Sequence, residues 1–166
     1  MFKKLIIAVA FAIALPLAMS AQKFGVVDVD AILPNLPEFK SVQEQLEKAS
    51  QNYQQEFTKL QEEFDKKFAE YQALDANTPA SIKERRESEL QELGQKIDQF
   101  RNTASQDIQR QQQTLMAPVQ QKVIDALNAV GQEGSYTFIF QTGQAAYQGK
   151  DVIDVTADVK AKLGIQ

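Results

Sequence analysis

Asp28 and Asp30 stand two residues apart after a β-rich run, and two such carboxylates could begin a divalent-cation site. Nothing else in the sequence supplies a spaced set of ligands, so the expected role is a turn or cap, where a short carboxylate accepts backbone N–H groups. The other conspicuous residues are adhesive rather than reactive. Phe68 and Tyr71 carry large apolar faces, and Lys83, Arg85 and Arg86 form a cationic cluster offset by Glu84, Glu87 and Glu89. Histidine and cysteine are both absent, which removes the usual acid–base side chain near neutrality, the thiolate nucleophile and the disulfide. No nucleophile–base constellation appears. The sequence therefore reads as a non-enzyme with no catalytic, cofactor-binding or metal site, whose work is done by non-covalent contact.

Phe68 and Tyr71 belong to a long series. Apolar residues recur at Phe39, Val42, Leu46, Ala49, Tyr53, Phe57, Leu60, Phe64, Phe68, Tyr71 and Leu74, with ten steps that average 3.5 residues. That period is the seam of a helix packed on a partner helix. The stretch "YQALDANTPA" interrupts it: Asp75, Ala76 and Asn77 suit a turn, Thr78 an N-cap, and Pro79 the first helical position. A second series then runs through Ile82, Leu90, Leu93, Ile97, Phe100, Ala104, Ile108 and Leu115. In an antiparallel hairpin, facing residues have position numbers of nearly constant sum. Phe39 with Leu115, Leu46 with Ile108, Ala49 with Ala104, Tyr53 with Phe100, Phe57 with Ile97, Leu60 with Leu93 and Phe64 with Leu90 all give 153 or 154, and Leu74 with Ile82 gives 156. The two seams match along their length. The same sum sets Phe68 near Arg86 and Tyr71 near Lys83, where the rings would lie on cation stems, make cation–π contacts, or stay exposed for a partner. It also sets Val42 opposite Gln111, within the polar run "QRQQQT", which with Gly94 weakens the seam.

The expected organisation is α+β and mainly α. Residues 1–20 read as a signal peptide: Lys3 and Lys4, an apolar run from Leu5 to Leu17, then Ala18-Met19-Ser20 before a cut. Residues 38–131 form the hairpin arm with its turn at 75–78. Pro118 should bend the second helix as it leaves the hairpin, and residues 116–131, with Val119, Val123, Ala126 and Val130, should pack on a sheet. Residues 21–37 and 132–166 form a small β-rich body, with strand candidates at Phe24–Val29, Tyr136–Phe140, Ala145–Tyr147 and Val152–Ile153. Gly131 and Gly134 should end the long helix. Asp154 or Thr156 should cap a last helix that stops at Gly164. Val27, Phe138 and Ile139 are the expected contributors to the body core or to contacts between subunits. About sixty residues make a small core, and oligomerisation is the usual remedy. Without Lys3 and Lys4 the mature chain holds 16 basic and 22 acidic residues, a balance that disfavours nucleic acid as a partner.

The order of these elements resembles the Skp/OmpH family of periplasmic chaperones over essentially the whole mature chain. The pieces that carry the resemblance are "GVVDVDAILPNLPEFK" at the start and "AAYQGKDVIDVTADVKAKLG" at the end. The resemblance implies a homotrimer in the periplasm, joined through the β-rich body, whose arms enclose unfolded outer-membrane proteins without ATP or any cofactor. It places client contact within the arms, where Phe68, Tyr71, Lys83 and Arg86 are the candidates. One departure matters: familiar members are strongly basic and this chain is acidic, which argues against direct binding to anionic lipid. An exported coiled-coil adaptor of the cell envelope is the competing reading.

Overall fold

A computed structural model describes residues 22–165; the expected signal peptide, residues 1–20, lies outside the described residues. Strand β1 (Phe24–Val27) leads through a short 3-10 turn at Leu33–Asn35 into helix α1 (Pro37–Gln72). Helix α2 (Ala80–Glu133) runs back, and β2 (Phe138–Gln141), β3 (Ile153–Asp154) and helix α3 (Thr156–Leu163) complete the chain. At 1.5 Å per residue α1 is about 54 Å long and α2 about 80 Å. The fold is the expected one, a long antiparallel helical hairpin on a small α+β body.

Cross-seam contacts follow the sequence register. Tyr53 meets Phe100 edge to face with ring centroids 6.0 Å apart. Phe64 lies against Gly94, and Leu60 and Leu93 are both buried. Val42 departs from expectation. It is buried in the body core with Val119 and Val123, not weakened by Gln111. The seam thus closes on apolar residues where it enters the body.

The turn is built differently from the expected one. Helix α1 ends at Gln72 with Ala73 as its C-cap, so the connection is wider than 75–78. Asp75 accepts the Asn77 N–H at 2.7 Å through its carboxylate, and its carbonyl accepts the Thr78 N–H at 3.0 Å. Those bonds hold Thr78 inside the turn, and it does not cap the helix. Pro79 is the N-cap residue, with an extended ψ of 139°, and its carbonyl accepts the first helical N–H groups from Ile82 and Lys83.

The body is a three-stranded sheet in the order β2-β1-β3, parallel throughout. Parallel neighbours need a crossover between them. The whole hairpin is the crossover from β1 to β2, a βαβ connection lengthened into an arm. One face of the sheet meets α2 and α3. Its core joins Val27, Ile32, Leu36, Val119, Val155 and Val159, with Ile139 and Tyr136 packed against it. Strand β1 stops at Val27, short of Val29. A Cβ at Gly25 would stand 3.2 Å from the side chains of both Ile139 and Tyr136, so a larger residue there would have to displace them slightly.

Three local expectations are corrected. Ala145–Tyr147 is not a strand; Val155 donates to the Val26 carbonyl at 2.8 Å, so the chain past residue 152 takes the open edge of β1. Gly131 lies inside α2, which runs through Pro118 as one helix to Glu133. Gly134 does end the helix, as its C-cap; the left-handed residue that follows is Ser135 (φ 52°), and the Tyr136 N–H returns to the Gly131 carbonyl at 3.0 Å. A non-glycine residue there carries a steric cost of about 1 kcal/mol or more. Ser135→Gly is therefore expected to raise stability by about 0.5–1 kcal/mol, after the entropy that glycine adds to the unfolded chain. The urea midpoint of the variant checks this. Gly164 ends α3 as expected, at φ 73°. At its start Val155 is the N-cap, while Asp154 accepts the Thr156 N–H at 2.9 Å.

Candidate functional site

Three surfaces carry the candidate residues: the arm tip, the middle of the arm, and the outer face of the sheet. At the tip, charge–charge pairing outcompetes cation–π contact. Lys67 from α1 and Arg85 and Arg86 from α2 converge on Glu89, at 3.6, 3.6 and 2.9 Å. Lys83 donates to the Ala76 carbonyl at 3.1 Å and so ties the turn. The Tyr71 hydroxyl donates to Glu87. Among the described residues, cations lie over the rings of Tyr136 and Phe57, not those of Phe68 or Tyr71. Of the four expected contact residues, Phe68 alone is largely free, 42% exposed and stacked on Phe64 at 6.2 Å.

These partners shift titrations. The hydrogen bond from Arg86, with the charges of Arg86 and Lys67, holds the Glu89 carboxyl below its ordinary value of 4.5. Donation of its hydroxyl proton to the Glu87 carboxylate raises the Tyr71 phenol above its ordinary value. A carboxyl depressed in the folded state contributes stability above its unfolded value and loses it as pH falls through the folded one. The tip clamp is thus expected to persist to below pH 4.5 and then release. A carbon NMR titration of the Glu89 side chain should give a midpoint under 4.5; a midpoint at or above that value refutes the clamp.

The middle of the arm is loosely packed. Between Val42 and Leu60 no residue of α1 is buried, and between Leu93 and Val119 none of α2. A polar contact bridges this span: the Tyr53 hydroxyl donates to Asp107, which also accepts from Gln111 at 2.6 Å and from Arg110. Above it opens a groove of about 1060 Å³ whose walls come from both helices.

On the body, Val27 is 2% exposed and Ile139 half-buried, both facing the helices. Phe138 is outside this core. It is 58% exposed on the opposite face, stacked between Phe24 and Phe140, with centroids at 6.3 and 5.9 Å. Phe24 and Phe140 were not singled out in the sequence, although strand alternation already put Phe138 and Phe140 on one side. Asp28 has the expected turn role: its carboxylate accepts the Ala31 N–H at 3.0 Å, and no grouping of metal-ligating side chains occurs among the described residues.

A long helical arm on a small parallel-sheet body defines the architectural class. Residues 23–163 match the family described as outer membrane protein (OmpH-like), and the chain belongs to that family. Curated relatives named Chaperone protein Skp include one from Yersinia enterocolitica, 25% identical over 159 residues covering 95% of this chain and 96% of that protein. Another, from Photorhabdus luminescens, is 27% identical over 90% of this chain and 94% of that protein. A third, from Pectobacterium atrosepticum, is 25% identical over 84% of each.

Proposed function

We propose that the mature protein is a periplasmic holdase chaperone that encloses unfolded outer-membrane proteins between the arms of a homotrimer and keeps them from aggregating, without ATP. The observation that carries this reading is the arm itself. Of the 36 residues of α1 only Val42 and Leu60 are buried. The rest is half-buried along the seam or exposed to solvent, with no enclosed cavity shaped for a small ligand. Such a surface suits many weak contacts with a chain that has no fixed shape. The kinship with proteins named chaperones supports the same reading. The uncovered aromatic face of the sheet supports self-association, because all-parallel sheets occur almost only with both faces covered.

The test is suppression of light scattering when an unfolded β-barrel protein is diluted from urea. The expected result is suppression at one trimer per client, with no nucleotide present. Undiminished aggregation, together with equal affinity for folded proteins, would instead favour an envelope adaptor.

A further inference from the structure

We propose that the groove at mid-arm is a binding subsite for an extended, uncharged segment of polypeptide that carries an aromatic side chain, such as one strand of an unfolded β-barrel. The proposal deepens the holdase reading and rests on it. The floor is apolar and aromatic: Tyr53 and Phe100 meet edge to face, with Ala104 and Ile108 beside them. Ala104 is the small residue of this floor. Both rings are half-buried, so each keeps apolar surface open to the groove.

The rim chooses the partner. Ser50, Gln54, Asn102, Ser105 and Gln109 are all exposed and all uncharged. An unfolded strand presents unpaired N–H and C=O groups, and amide and hydroxyl side chains offer both acceptors and donors to them without regard to sequence. The charges at the rim are Asp98 and Arg101, one of each sign, and the guanidinium of Arg101 lies over the Phe57 ring, 5.8 Å from its centroid. The groove is therefore neutral, matched to a neutral backbone rather than to an acidic or basic peptide. Its length also fits. The lining runs from Ser50 to Phe57 on α1, about 10 Å of helix. Three extended residues span about the same distance and turn alternate side chains toward one wall. The tip is unlike this, because Lys67, Arg85, Arg86 and Tyr71 already have partners within the chain. The subsite thus lies about midway along the arm, away from the tip residues the sequence favoured.

The experiment uses the mature full chain with a photo-reactive benzophenone amino acid at Ser105 and, as control, at Gln55, which is exposed on α1 within the span of the groove but does not line it. The probe is an unfolded outer-membrane β-barrel protein diluted from urea. Labelling from position 105 is expected to exceed that from position 55 several-fold. A second variant, Ser105→Arg, places bulk and charge in the rim without touching a buried residue. It should weaken client affinity by about fivefold, the size of one aromatic contact, at unchanged thermal midpoint. Equal labelling at the two positions with client still protected overturns the subsite alone. So does labelling from position 105 that reaches only a second copy of this chain, which would make the groove an arm–arm contact. Failure of the parent protein to protect the client overturns the holdase reading and the subsite with it.

Discussion

Leu36→Ala is expected to destabilise the folded protein by about 3 kcal/mol, the middle of the range for a fully buried leucine. Leu36 is 0% exposed, and it sits where three parts of the chain meet. It closes the 3-10 turn, serves as N-cap residue of α1, and belongs to the cluster that joins β1, the base of α2 and α3. Its neighbours Ile32, Val155 and Val159 are equally inaccessible, so little relaxation is available to fill the void. The arm leaves the body at this residue, and the loss also loosens the root of α1. Hydrogen exchange should accordingly quicken in the first turns of α1 before it does so at Leu60. Gln120→Ala, on an exposed face of α2, should stay within about 0.5 kcal/mol of the parent. Equal urea midpoints for the two variants would show that the arm root does not depend on this core.

The hairpin was legible because two independent signals agreed. A 3.5-residue period named the seam residues, and the constant position sum fixed which of them face each other. Tyr53 and Phe100 meet as that register requires. The body was less legible for a physical reason. Its strands are four, four and two residues long, and all pair in parallel, so partners are far apart in sequence. Alternation tells which face a residue takes, never which strand lies beside it. Ala145–Tyr147 had strand character, but the second edge of β1 went to the segment at Ile153–Asp154 instead. The tip misled for another reason. The position sum brought cations near Phe68 and Tyr71 correctly in height. The offset of that cluster by Glu84, Glu87 and Glu89 pointed instead to a salt-bridged face, and Glu89, three and four residues after Arg86 and Arg85, takes the cations because charge-assisted pairs at that spacing are the stronger contact. The groove could not be read at all, because it depends on how side chains such as Tyr53 and Phe100 pack between two helices in three dimensions.

Replacing both Phe138 and Phe140 by aspartate is expected to dissociate the proposed homotrimer while the single chain stays folded. The two rings lie 58% and 42% exposed on the open face of the sheet, so within one chain they bury little, and their loss leaves Val27 and Ile139 in the core untouched. Strand β2 is also an edge strand, with one side of its backbone unpaired within the chain. If neighbouring chains cover this face, each ring contributes about 1.5–3 kcal/mol on burial. Two rings per chain then amount to more than about a hundredfold in association, before the penalty for placing carboxylates there. Light scattering should fall from three chains to one, with helix content by circular dichroism unchanged. Client protection should fall with it, because a lone arm bounds no cavity. The groove at mid-arm would survive in the monomer, so client binding should weaken without vanishing, and photo-labelling from position 105 should remain above that from position 55. A variant that keeps the parent's mass would remove the aromatic face from the interface and leave the enclosure of clients without a structural basis.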